Sequence, residues 1–373
     1  MNIRSIIVIL AAVLFFSCDQ YPIFYAISQE VEPTEPRIKG NPTAIVEVGE
    51  SMYVASRFGR SLHSYKSGKW TPIASPGSIM EIASDGTSLY ALIGEPIRKT
   101  EVYVYESGYE RAQCRLISFT GGGIIQTIRG TEDGNGTGYI FASTENGLFF
   151  YKKGDAAGFS SNSLIPNVSK ENIVTGAAYN IDGTPNGTYY VAVVNKGIYT
   201  LNETSLNETS LSLDGPVSGT DRKAVIGMLA VKDTIVAVGR DGEFLHRDSN
   251  GFEVHSTSNT FSGAMGIWRD DSAYLLLVGV QGGIYSTING YREILLTSDR
   301  SLDPNNLGLR WPGASAPTTV SNTDRYTSTL GLHVVTSLYQ MQDSSLFAST
   351  MKNGLWSYRT HQGQNEEVWN AEE

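Results

Sequence analysis

Residues 226–255 read IGMLAVKDTIVAVGRDGEFLHRDSNGFEVH, four short runs of strand-forming residues separated by turn signals. The run Ile226–Val231 passes through Lys232-Asp233 into Thr234–Val238. Arg240-Asp241-Gly242 then leads into Glu243–His246, and Ser249-Asn250-Gly251 into Phe252–His255. Asp-Gly and Asn-Gly favour tight hairpins because Gly accepts the positive φ that such turns need. β-Branched and aromatic residues fill the runs between them. The stretch predicts four antiparallel strands in consecutive order.

Related units recur on both sides of it. Tyr139–Ala142 is followed by Gly147-Leu148-Phe149, and Tyr189–Ala192 by Gly197-Ile198-Tyr199. Leu275–Val278 leads to Gly283-Ile284-Tyr285, and Leu346–Ala348 to Gly354-Leu355-Trp356. In the unit first quoted, Ile235–Ala237 precedes Gly242 and Phe244. Two looser copies pair Met52–Ala55 with Leu62–Tyr65 and Leu89–Leu92 with Val102–Tyr105, which makes seven. The repeated glycines stand about 41 to 50 residues apart, with one last gap of about 71. A period in the forties with several strands per copy predicts an all-β fold, a seven-bladed β-propeller of four-stranded antiparallel blades, over residues 42–373.

The other first strands are expected at Ala44–Val48, Ile79–Ala83, Ile124–Ile128, Ile173–Tyr179, Met265–Trp268 and Val334–Tyr339. Residues 297–331 are rich in Ser, Asn, Pro and Thr without alternation, and are expected to form a long inter-blade loop. Segments 155–172 and 202–222 read as shorter loops of the same kind. Either Tyr21–Ile27 or Glu367–Asn370 could supply the outer strand that closes the last blade.

The N-terminus carries a different signal. Arg4 precedes the apolar run Ile6–Phe16, which ends at Ser17, so residues 1–17 read as a secretory signal peptide. The run is short for a bilayer span. Residues 18–41, with Pro22, Pro33 and Pro36 among Glu30, Glu32 and Glu35, read as a lipidated N-terminus and tether. Phe15-Phe16-Ser17-Cys18 resembles a bacterial lipobox, in the relaxed form of spirochaetes, because Phe15 and Phe16 stand where aliphatic and smaller residues are usual. The resemblance implies lipid on Cys18 and a place in the bacterial cell envelope, anchored to a membrane and facing periplasm or cell surface. Cys114 would then be the remaining cysteine, with no intrachain disulfide available. The repeats are similar to those of bacterial extracytoplasmic propellers, so the chain resembles a lipoprotein with a seven-bladed propeller domain. The Trp-Asp and Gly-His pairs of WD40 repeats are missing, and Ser84-Asp85-Gly86-Thr87 matches only a fragment of the sialidase Asp-box.

Charge narrows the function. With 38 acidic and 28 basic residues the formal charge is −10, and no Lys/Arg cluster offsets it, which argues against a nucleic-acid partner. The five histidines lack metal-ligand spacing, and no G-x-S-x-G elbow is present. Gly121-Gly122-Gly123 precedes a strand rather than a helix, so it reads as an inter-blade hinge and not as a phosphate cradle. No cofactor or metal is implied, and a non-enzymatic protein is expected.

In an up-and-down blade, second-to-third-strand turns and blade-to-blade connections emerge on one face. That face collects the candidate binding residues Arg57, Lys196, Arg240 and Lys352, with Arg310 and Trp311 from the long loop. Trp311 would either anchor a partner or pin the loop. The expected function is a membrane-anchored binding or scaffold protein recognising a protein or glycan through this face. A glycan hydrolase or lyase acting in the propeller mouth is the alternative, and recruitment of a partner by strand addition a third reading.

Overall fold

Runs such as Tyr139–Thr144 and Leu346–Thr350 are buried at every position, which marks strands covered on both faces by neighbouring sheets. The computed structural model describes residue 38 and residues 42–372 apart from 57–60, 96–98, 107–113, 132–137, 167–172, 181–186, 202–223, 232–233, 249–250, 257–259, 270–273, 281–282, 286–293, 296–301, 304–307, 310–332, 342–344 and 361–366. The expected signal peptide and Tyr21–Ile27 therefore lie outside the described residues.

The fold is all-β, built of antiparallel sheets of consecutive strands. Sheet 1 holds β1 (Pro42–Val48), β2 (Ser51–Ser56), β3 (Ser61–Lys66) and β4 (Lys69–Ile73). Sheet 2 holds β5 (Ile79–Ser84), β6 (Leu89–Glu95), β7 (Lys99–Tyr105) and β8 (Cys114–Ile117). Sheet 3 holds β9 (Thr127–Thr131), β10 (Tyr139–Thr144), β11 (Gly147–Lys152) and β12 (Ile165–Pro166). Sheet 4 holds β13 (Val174–Asn180), β14 (Thr188–Val193) and β15 (Gly197–Leu201). Sheet 5 is the stretch first quoted, with β16 (Val225–Val231), β17 (Thr234–Gly239), β18 (Glu243–Asp248) and β19 (Gly251–Ser256). Sheet 6 holds β20 (Phe261–Arg269), β21 (Tyr274–Val280), β22 (Gly283–Tyr285) and β23 (Ile294–Leu295). A separate hairpin joins β24 (Leu302–Asp303) to β25 (Gly308–Leu309). Sheet 7 holds β26 (Val335–Gln340), β27 (Leu346–Thr350), β28 (Leu355–Thr360) and β29 (Glu367–Ala371).

Several expectations are corrected. The first strand of sheet 3 begins at Thr127, not Ile124, because Gly122 and Gly123 hold φ of 75° and 83° and ladder bonding starts only with the Gln126 N–H on the Ser143 carbonyl. The glycines there are packed rather than loose: a Cβ on Gly121 would meet the Phe149 ring at 2.3 Å. Segment 155–172 contains an outer strand, β12, and buries Phe159 in the core between sheets 2 and 3. Segment 297–331 contains the β24–β25 hairpin. Not every sheet has four strands in sequence order: sheet 4 shows three among the described residues, and in sheet 6 β23 pairs with β21. The three-residue β22 covers only Val278–Val280, which leaves Leu275 and Leu276 to pair with β23. Ile38, inside the expected tether, is fully buried against sheet 1.

Among the described residues, each first strand touches the first strands of the sheets before and after it, and β26 touches β1, so these first strands follow one another in a ring. Six of them carry a β-bulge near their start. Hydroxyls in this zone link sheet to sheet. Thr127 Oγ1 donates to the Val174 carbonyl at 3.2 Å, Thr175 Oγ1 to Val225 at 2.9 Å and Thr336 Oγ1 to Pro42 at 3.0 Å. Ser262 Oγ donates to the Val335 carbonyl in the same manner. Bulges re-aim side chains, and on β13, β20 and β26 the hydroxyl beside the bulge reaches the neighbouring first strand, whereas Thr127 does so from the unbulged β9. Where the strands approach most closely a side chain is excluded: a Cβ on Gly130 would lie 1.8 Å from the Ser84 carbonyl oxygen.

The ring is completed by the C-terminal end. β29 supplies the fourth strand of sheet 7, so of the two segments weighed for this place Glu367–Asn370 is the one used. Between sheets 7 and 1, Tyr65, Trp70 and Phe347 pack with ring centroids 4.8 to 6.2 Å apart. Glu372, buried, accepts the Trp70 indole N–H at 2.8 Å and the Ser357 hydroxyl.

Candidate functional site

The first strands of all seven sheets line one central cavity of about 750 Å³. Its charged groups come from three adjacent sheets: Glu47 from β1, Glu81 from β5 and Arg129 from β9. Arg129 is held from several sides. Nη1 donates to Glu81 Oε1 and, at 2.6 Å, to the Ile128 carbonyl, while Nε donates to the Thr175 carbonyl at 3.3 Å. Glu81 Oε2 accepts the Ile128 N–H at 2.9 Å. The pair is only partly screened by water, with side chains 31% and 13% exposed. Tyr339, on β26, donates its phenol to Glu47.

None of these four was singled out from the sequence. The available signal was a charge placed inside an apolar first strand, as in IMEIAS and TIRGT, where a solvated residue is out of place.

Asp85 next to the cavity wall has a structural task. Fully buried, it accepts the Thr87 N–H and hydroxyl, each at 2.8 Å, the Ser88 N–H at 2.7 Å and the Tyr90 phenol at 2.5 Å. Burial, then the adjacent Asp85 carboxylate, raises the Tyr90 phenol well above the ordinary tyrosine range. This network closes the β5–β6 hairpin, which is the part played by the Asp-box fragment seen in the sequence.

Three of the candidate binding residues fall on described turns. Lys196 sits in the β14–β15 turn, Arg240 exposed in the β17–β18 turn and Lys352 exposed in the β27–β28 turn. Asn195 and Lys352 take φ of 60° and 74°, so these turns are tight. The three cations belong to three different sheets and are spaced along one rim rather than gathered at one point. Cys18, Arg57, Arg310 and Trp311 lie outside the described residues. Among the described residues no group of three or more His, Cys, Asp or Glu could hold a metal ion, and no helix is long and apolar enough to cross a membrane.

No family model matches the chain, and no curated protein matches it in sequence. Solved structures do match. PorZ, a bacterial surface component of the type-IX secretion system of Porphyromonas gingivalis, is 12% identical with a TM-score of 0.53 over 91% of this chain. The chain spans only 39% of the length of that protein. The WD40 β-propeller domain of Doa1 is 11% identical, with a TM-score of 0.54 over 87% of this chain and 95% of its own. BBS1N, solved in complex with ARL6, is 12% identical with a TM-score of 0.53, and 90% of this chain and 96% of BBS1N are covered. The shared architecture is the β-propeller. At such identities the likeness is one of fold, and the central cavity is the hollow of a propeller-like ring.

Proposed function

We propose that this chain is a seven-bladed β-propeller that acts as a non-enzymatic, lipid-anchored binding or scaffold protein of the bacterial cell envelope. It takes a protein or glycan partner on the face where second-to-third-strand turns and inter-sheet connections emerge. The observation that carries the reading is the presentation of Lys196, Arg240 and Lys352 on short turns along one rim of a rigid ring. The backbone of a tight turn on a rigid scaffold has little freedom left to lose when a partner docks, and Arg is enriched at such contacts. Two of the fold relatives fit a docking role: PorZ is a surface component of a secretion system, and BBS1N was solved with a protein bound.

In this reading Cys18 carries the lipid, and Arg310 and Trp311 extend the rim. The test is capture of partners from an envelope extract by the intact chain. Arg240→Glu with Lys352→Glu, and separately Arg310→Ala with Trp311→Ala, are expected to abolish capture. Capture retained by both double variants would overturn the face assignment. Palmitate labelling that survives in Cys18→Ala would overturn the anchor.

A further inference from the structure

The central cavity has two unlike walls. Sheets 7, 1, 2 and 3 contribute Tyr339, Glu47, Glu81 and Arg129. The opposite wall, from sheets 4, 5 and 6, contributes Gly176, Ala177, Gly227, Met228, Ala264 and Met265 among its linings, with no charged residue. Its two hydroxyls, on Thr175 and Ser262, are already engaged with the carbonyls of Val225 and Val335. One side of the hollow therefore offers hydrogen-bonding groups and the other a surface of methyl groups, thioethers and bare backbone.

On the polar wall some capacity is left over. Arg129 bonds through Nε and Nη1, while Nη2 makes no hydrogen bond among the described residues. Thr131, on the same strand, lines the cavity, and its hydroxyl is buried behind that wall without a partner among the described residues.

We infer that this cavity binds a small saccharide, with hydroxyls on the Arg129–Glu81 side and a C–H face against Ala177 and Met265. The electrostatics favour this class. The Arg129 charge is matched by Glu81 and Glu47 adds another negative charge, so an anion meets net repulsion. A sugar hydroxyl can accept from Nη2 and donate to the Glu81 carboxylate at once, which suits a neighbouring donor and acceptor pair. A volume of about 750 Å³ lies within the roughly 300–1,000 Å³ usual for small-molecule sites. The site is inside the ring and independent of the rim, so either reading can fail alone.

The experiment titrates the intact chain with glucose, galactose, N-acetylglucosamine, maltose and chitobiose, read by calorimetry and ligand-observed NMR, with inorganic phosphate and acetate as anion probes. At least one sugar should saturate, and Arg129→Met and Glu81→Gln should each weaken it about tenfold or more. Ala177→Leu, which leaves the ion pair intact and narrows the apolar side, should also lose the sugar while still melting cooperatively, at a temperature lowered by the added bulk beside the core of sheets 3 and 4. It decides the matter if Arg129→Met fails to fold. Absence of saturation by any sugar at about 10 mM overturns the inference, since a weaker site would have no practical affinity. So does sugar binding unchanged in all three variants, or phosphate binding that is lost in Arg129→Met.

Discussion

Trp70 and Glu372, 302 residues apart in sequence, are joined by a 2.8 Å hydrogen bond from the indole N–H to a buried carboxylate. The same carboxylate takes the Ser357 hydroxyl, so it ties the C-terminal end to both sheets at the seam. Glu372→Ala takes the acceptor from the buried Trp70 indole N–H and should cost about 1–3 kcal/mol. Glu372→Gln, which keeps one acceptor, should cost about half as much. Urea denaturation checks both, and equal midpoints for wild type and Glu372→Ala would mean that aromatic packing alone holds the seam.

Asp85 has no substitute for its four bonds. Asp85→Ala should destabilise the chain by about 3 kcal/mol or more, because Tyr90 then keeps a buried phenol with its acceptor gone. Adding Tyr90→Phe to that variant removes the orphaned group and should recover part of the loss. The double-mutant cycle measures the coupling.

Stability should also fall at high pH. Burial pushes Tyr105 up to about 12, and burial with Asp85 raises Tyr90 further. In the unfolded chain both ionise near 10, so above about pH 10 the folded state holds protons that the unfolded state has released. The stabilisation is complete below pH 10 and is lost as pH rises through 12. Melting temperatures between pH 8 and 12 should show this decline, and Tyr105→Phe should flatten it.

Gly130 is where two first strands meet most tightly. Gly130→Ala places a Cβ 1.8 Å from the Ser84 carbonyl oxygen, backbone that cannot swing aside. The variant should lose several kcal/mol or fail to accumulate, which a thermal melt against wild type would show; a melting point within a degree of wild type contradicts it.

Thr175→Val and Thr336→Val each remove one sheet-to-sheet hydroxyl bond while keeping shape. Each should cost about 1 kcal/mol, and being on well-separated sheets their costs should add.

Sheet 5 is readable strand by strand, because Asp-Gly and Asn-Gly turns separate short runs of strand-forming residues. The first strand of sheet 3 was misplaced by three residues: Ile124 and Ile125 have strand composition, but the positive φ of the two preceding glycines delays pairing. The fourth strand of sheet 3 hid inside an apparent loop, since two residues carry no period. The central cavity was invisible for a different reason. Glu47, Glu81, Arg129 and Tyr339 lie on four separate units, and only the ring brings them to one wall.

The join between sheets 7 and 1 shares no strand, since each sheet is made of consecutive residues. During synthesis each sheet can be completed from chain already emerged, in order, with the seam left for last. Until sheet 7 arrives, Ile45, Met52, Val54 and Tyr65 on sheet 1 lack the cover that Phe347 and Leu355 later give them. The unfinished ring thus carries a sticky flank until sheet 7 is made, and a holding chaperone would find its natural grip there rather than anywhere on the finished ring.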